Sequence, residues 1–314
     1  MSPACTFQKD ELLRRIQTAL RNEKNVLFVG PPGTGKTKLA REVCRSIVSQ
    51  EFAIATATAD WSTFDTIGGY QPERDGELVF KPGVFLDRFQ NSEGEPTNEW
   101  LIVDEINRAD IDKAFGSLFT ALTGENVTLP FTDDRENQIE ILGAESGREK
   151  RIEPYRYYVP TNWRMLATMN TLDKTSLYEM SYAFMRRWAF VHVPVPDDID
   201  ADLVEQYVRL WDGLEFDEER CQTVAETWRA INDVREIGPA IVEDIYRYLQ
   251  TAADNDLASP IALYVVPQLE GLRDDDLVRF VTEMSSQTSV SRAKLTQFVA
   301  EFFGLPKQRF EDEI

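Results

Sequence analysis

Cysteine is scarce: Cys5, Cys44 and Cys221 are the three in 314 residues, far apart and in no CxxC pair. Neither a disulfide framework nor a zinc site follows from that spacing, so the thiols read as ordinary reduced ones. The one histidine, His192, sits in the apolar run WAFVHV and reads as a structural residue rather than a ligand. No run of 18 apolar residues occurs, and the opening MSPACTFQKDELLRRI lacks the apolar core of a signal peptide. The expectation is a soluble, cytoplasmic protein with no membrane partner. Lysine is also rare, 10 of the 34 basic residues, against 54 acids, which leaves a net charge of -20 and a pI near 4.5. Such a surface repels a phosphate backbone, so the body of the protein is a poor non-specific binder of nucleic acid, although a local basic patch is compatible with these totals. Excess acid with little lysine fits a high-salt cytoplasm and fits an acidic mesophilic enzyme as well.

What is present is an α/β rhythm. Residues 7–21 repeat apolar positions at helical spacing, and the run VLFV that follows Asn25 predicts a buried strand closed by Gly30. KLAREVCRSIV then reads as a helix. EFAIATAT, WLIVDE at 100–105, NWRMLATMN at 162–170 and WAFVHV at 188–193 supply four further strands, separated by helical stretches such as residues 109–124. Alternating strands and helices with continuous apolar strands predict a doubly wound parallel sheet of five strands. Two segments interrupt it, residues 60–98 and 126–160, and the second reads as a β-hairpin grown between a helix and the fourth strand. In the first, Trp61, Phe64 and Tyr70 suit a loop pinned to the core, and Trp61 and Tyr70 equally suit gripping a partner. After VPVP at 193–196 the chain turns acidic, with ten acids and two arginines from Asp197 to Arg220, and then shows only amphipathic helical patterns. Two domains are expected: an α/β domain over residues 1–195 and a smaller all-helical one over 196–314.

The stretch between the first strand and its helix reads GPPGTGKT, residues 30–37. Without Cβ atoms at Gly33 and Gly35 the backbone can curl until successive N–H groups face inward, and with the following helix N-terminus they form a cradle for an anion. Gly30, Pro31, Pro32, Gly33, Thr34 and Gly35 shape that cradle. Lys36 adds a positive charge for β and γ phosphates, and the Thr37 hydroxyl suits Mg²⁺. Asp104, at the end of a buried strand, is costly there unless paired or bound to metal, which makes it the second Mg²⁺ candidate. Glu105 is placed to polarise a water for in-line attack on the γ-phosphorus. Asn170, at the end of the fourth strand, lies on the sheet edge where ligands of α/β folds collect and can hold the attacking water or a phosphate oxygen. Arg186 and Arg187 precede the last strand; an arginine fork can meet transition-state charge from a neighbouring subunit, and Arg187 is the favoured one. The cradle does not read the base, so the choice between ATP and GTP lies elsewhere.

Taken with FKPGVF, the motifs WLIVDEINRAD and LATMNTLDKTSLYEMSYAFMRRWAFV resemble AAA+ ATPases of the McrB and MoxR branch, most nearly McrB-type motor subunits. The resemblance spans residues 25 to about 195, and the helical remainder is similar to an AAA+ lid. It implies Mg²⁺-dependent hydrolysis of ATP, or of GTP as in the best-known McrB, in a ring that is commonly hexameric, with head-to-tail contacts. Asn107, Arg108 and Asp173 match family positions in the active-site and interface network. REIGPAIVEDI at 235–245 departs from the MoxR pattern by lacking the lid arginine after its glycine and proline, and Arg235 is a weak substitute. With so little chain ahead of the first strand, target recognition is expected from a separate effector, either a McrC-like nuclease or a von Willebrand A-type protein. Direct nucleic-acid contact is expected only through that partner or the ring pore.

Overall fold

The computed structural model describes residues 5–74, 76–116, 118–122, 124–143, 153–171, 181–252, 256–286 and 289–310. The chain divides into two compact units, one of Asp10–Gly30 with Lys36–Val193, the other of Pro31–Gly35 and Pro194–Ile314 with the residues up to Lys9.

Helix α1 (Cys5–Arg21) leads into strand β1 (Asn25–Gly30), and α2 (Lys36–Glu42) continues as a π turn over Val43–Ile47. Next come β2 (Phe52–Thr56), α3 (Thr63–Thr66) and the antiparallel pair β3 (Gly68–Pro72) and β4 (Leu78–Pro82). After β5 (Trp100–Asp104) stand two short helices, α4 (Ile111–Phe115) and α5 (Leu118–Ala121). Strands β6 (Val127–Thr132), β7 (Gln138–Leu142) and β8 (Arg156–Tyr158) precede β9 (Met165–Asn170), α6 (Tyr182–Met185) and β10 (Trp188–His192).

Five of these strands form the parallel sheet, in the order β10-β1-β9-β5-β2. Its central strands have no solvent face: Val26, Leu27 and Phe28 of β1, Leu101, Ile102 and Val103 of β5, and Leu166 and Ala167 of β9 are all fully buried. That is why they read as unbroken apolar runs rather than as alternating ones. The register sets Gly30 beside Asn170 and Thr56 beside Asp104, so the C-terminal ends of β1, β9, β5 and β2 meet along one edge.

Three local features differ from the sequence expectation. The helix expected over residues 109–124 is two helices, because Gly116 takes φ 33° and ends the first of them. The first interrupting segment carries the β3–β4 hairpin, which its glycines and prolines concealed. The second is the expected hairpin, β6 with β7, extended to three strands by β8 running parallel to β7. Trp61 packs edge-on to Phe115 at 6.2 Å, and Tyr70 packs edge-on to Phe131 at 5.4 Å while its hydroxyl accepts the Thr132 N–H at 2.9 Å. Both aromatics thus make contacts within the fold, and Tyr70 stays 40% exposed.

The other unit is helical beyond Pro194, with α7 (Ala201–Val208), α8 (Glu218–Asn232), α9 (Pro239–Thr251), the single turn α10 (Ala258–Pro260), α11 (Asp274–Ser285) and α12 (Arg292–Phe303). Asp200 and Asp217 cap α7 and α8 by accepting the N–H groups of Leu203 and Arg220 at 2.8 and 2.7 Å. Trp228, Tyr246 and Phe280 fill its centre, fully buried. The Trp228 Nε1–H also donates to the Ile237 carbonyl at 2.9 Å, so truncation removes packing and leaves that carbonyl short of a donor. Trp228→Ala is expected to destabilise this unit by about 3–5 kcal/mol, read as a lowered urea midpoint. No helix among the described residues is long and apolar enough to cross a membrane.

Candidate functional site

In the loop between β1 and α2, Gly33 and Gly35 adopt φ 77° and 81°. A Cβ at Gly35 would meet no heavy atom within 4 Å, so it is the left-handed backbone, not lack of room, that demands glycine there. Thr34 Oγ1 donates to the Pro31 carbonyl at 3.0 Å and braces the turn. Pro32 and Gly33 offer their carbonyls to the N–H groups of Gly238 and Ala240, at 2.9 and 3.2 Å, at the start of α9.

Lys36 opens α2. It is only 6% exposed, and its ammonium donates to the Gly30 carbonyl at 3.1 Å. Burial lowers its pKa to about 8, against the opposing pull of the Asp104 and Glu105 carboxylates. Below that pH the group carries the charge that attracts a phosphate; above it the charge is lost. Binding of a nucleoside triphosphate is therefore expected to take up protons near pH 8 and to weaken as pH rises past it, measurable by calorimetry in buffers of different ionisation enthalpy. In the free protein the same depression makes folding more favourable as pH rises from about 8 toward 10.5, where the unfolded chain still holds the proton.

Thr37 Oγ1 donates to Asp104 Oδ1 at 2.6 Å, and the Thr168 hydroxyl donates to the same oxygen. Glu105 follows the strand in a left-handed conformation, φ 53° and ψ 46°, uncommon for a residue with a Cβ. Its N–H donates to Thr168 Oγ1 at 3.0 Å. Its carboxylate pairs with Arg108 at 2.6 Å and accepts a long hydrogen bond, 3.5 Å, from Asn170 Nδ2. Asn107 is buried, and neither of its amide atoms has a hydrogen-bond partner among the described residues.

The geometry thus brings together Lys36, Thr37, Asp104, Glu105 and Asn170. Arg186 and Arg187 stand before β10: Arg186 is exposed, while Arg187 is half-buried with its guanidinium 5.6 Å from the centre of the Phe119 ring. Arg235 donates to the Glu270 carbonyl at 2.7 Å. Asp173 lies outside the described residues. Cys44 and Cys221 are free and buried, and His192 is exposed.

No cluster of three or more His, Cys, Asp or Glu side chains able to hold a metal occurs among the described residues. A hard cation carried in with phosphate oxygens does not need one: one hydroxyl and one carboxylate suffice, and the adjacent Thr37 and Asp104 oxygens fit Mg²⁺. Sequence reasoning missed Thr168. Its signal was strand periodicity, since a residue two before Asn170 shares its face of β9.

The solved structure of the RuvB Holliday junction branch migration motor of Thermotoga maritima is similar at 14% identity and a TM-score of 0.42, over 96% of this chain and 83% of that one. NtrX of Brucella abortus, solved with ATP, is similar at 14% identity and a TM-score of 0.44, over 99% and 67%. No curated protein matches the sequence. A family model does: the AAA domain of the dynein-related subfamily matches residues 25–188, from the first residue of β1 to the first of β10. The parallel five-stranded sheet with its glycine loop is the AAA+ P-loop NTPase fold. With that match spanning over half of its length, the chain belongs to the dynein-related subfamily of AAA domains.

Proposed function

We propose that this protein hydrolyses ATP, with GTP as the alternative fuel, as the motor subunit of a ring that drives a separate effector. The observation that carries the reading is the hydrogen bond from Thr37 to Asp104, with Glu105 one residue further on and Asn170 in reach of it. Thr37 and Asp104 would hold Mg²⁺, which when bound supplies charge neutralisation across the β and γ phosphates. Backbone N–H groups of the loop bind phosphate oxygens, and Lys36 adds a donor charged below pH 8. Glu105 accepts the proton of the attacking water, and Asn170 holds either that water or a γ-phosphate oxygen.

The DEINR and MNT motifs support a McrB-type motor, with a McrC-like nuclease in a restriction or defence system as its effector. The acidic surface favours a second reading, a MoxR-like chaperone working with a von Willebrand A-type partner. In either case the exposed Arg186 is the better placed of the two arginines to reach a neighbouring subunit, head to tail in a homo-oligomeric ring such as a hexamer. Phosphate release from Mg-ATP and Mg-GTP, with particle mass measured by light scattering, tests this directly. Turnover together with nucleotide-dependent growth in mass is expected; absence of turnover with both nucleotides contradicts the reading.

A further inference from the structure

Glu105 has to hold an uncommon backbone conformation while its neighbour Asp104 keeps one carboxylate oxygen on Thr37. One side chain touches both. Thr168 is 1% exposed on β9, the strand between β1 and β5. A threonine hydroxyl has one proton and two lone pairs. Here the proton goes to Asp104 Oδ1, and a lone pair takes the Glu105 N–H at 3.0 Å. The same oxygen therefore fixes the rotamer of one acid and the main chain of the next.

We propose that Thr168 is a positioning residue, which aims Asp104 at the Thr37 side and locks Glu105 in its left-handed turn so that the carboxylate comes within reach of Asn170. The proposal rests on the reading of this site as a Mg-nucleotide hydrolase for its kinetic consequence, but not for its structural one. The left-handed region is disfavoured for an L-residue by about as much as one hydrogen bond contributes, so the bond from Glu105 to Thr168 is of the size needed to hold the turn. Valine at 168 keeps the shape and removes both bonds; serine keeps both bonds and removes only a methyl group. Asn170, on the same face two residues along, has a fixed distance to Glu105 only while the turn holds.

The test uses Thr168→Val and Thr168→Ser in the full chain. In the nucleotide-free protein, amide exchange of Glu105 is followed beside the amides of Leu101 and Ile102 in β5. Loss of the acceptor is expected to speed exchange at Glu105 about tenfold in Thr168→Val, from one lost hydrogen bond, with the two strand amides unchanged and with wild-type exchange in Thr168→Ser. In turnover, Thr168→Val is expected to lose about tenfold or more in kcat with KM for the nucleotide within about twofold, and Thr168→Ser to restore it. An unchanged Glu105 amide in Thr168→Val, or a serine variant as impaired as the valine one, overturns the proposal. Should Thr168→Val fail to fold, Thr168→Ala lacks the same hydroxyl without the valine branch and is read by the same amide. Wild-type protein without phosphate release defeats the hydrolase reading alone, because the amide comparison still decides the role of Thr168.

Discussion

Glu105→Gln is expected to cut phosphate release by about 10²–10⁴-fold, the range lost with a general base, while the nucleotide still binds. The amide has the size of the carboxylate and presents an oxygen in the same place, so the loop and Thr37 keep their geometry, and Lys36 loses only one of the two carboxylates that oppose the lowering of its pKa. What it cannot do is take a proton. It also loses the ion pair with Arg108, whose guanidinium side chain is about half exposed, so that loss falls on a solvent-screened contact and is small. The effect should therefore appear in kcat, not in affinity for a non-hydrolysable ATP analogue. Single-turnover phosphate release and equilibrium binding of a fluorescent analogue separate the two. Equal turnover in the variant and the wild type would remove Glu105 from the chemistry.

Lys36→Ala should produce the complementary result, a loss that falls on binding. The ammonium is desolvated and held at the Gly30 carbonyl, on the strand that runs beside Asn170. Burying a charge is tolerated where an anion is to be met, and charge-assisted hydrogen bonds to phosphate contribute about 1.5–3 kcal/mol each. Loss of one such contact weakens the analogue by about 10–150-fold. The variant should also lose the proton uptake expected near pH 8, since Lys36 is the group whose pKa lies there. Unchanged affinity together with unchanged proton uptake would show that the phosphates bind elsewhere.

Much of this was legible in the residues because the strongest local signals coincide with the strongest physical constraints. A strand buried on both faces has to be apolar throughout, so β1, β5 and β9 declare themselves, and with β2 and β10 they assemble as the five-stranded parallel sheet. The glycines of the loop are legible for the same reason, since φ near 80° at Gly33 and Gly35 excludes other residues. Less legible were features that depend on a partner distant in sequence. The β3–β4 hairpin lies among glycines and prolines, and the parallel pairing of β8 with β7 has no local cue. Residues 109–124 have helical periodicity from end to end, yet Gly116 turns left-handed and splits them. Thr168 is an ordinary threonine until β9 is set beside β5, when its hydroxyl meets Asp104 and the Glu105 amide. The two arginines show the limit from the other side: the sequence reading favours Arg187, whereas the fold leaves Arg186 exposed and draws Arg187 over Phe119.

The central claim is that a bare glycine loop and the acids at the tip of β5 form one Mg-triphosphate site. A crystal structure with a non-hydrolysable ATP analogue and Mg²⁺ measures this most directly. The account predicts triphosphate density ringed by the N–H groups of residues 33–37, a cation on the Thr37 and Asp104 oxygens, and the Glu105 carboxylate facing the γ-phosphate. Nucleotide bound at any other place, or a loop that stays empty at saturating analogue, would contradict it.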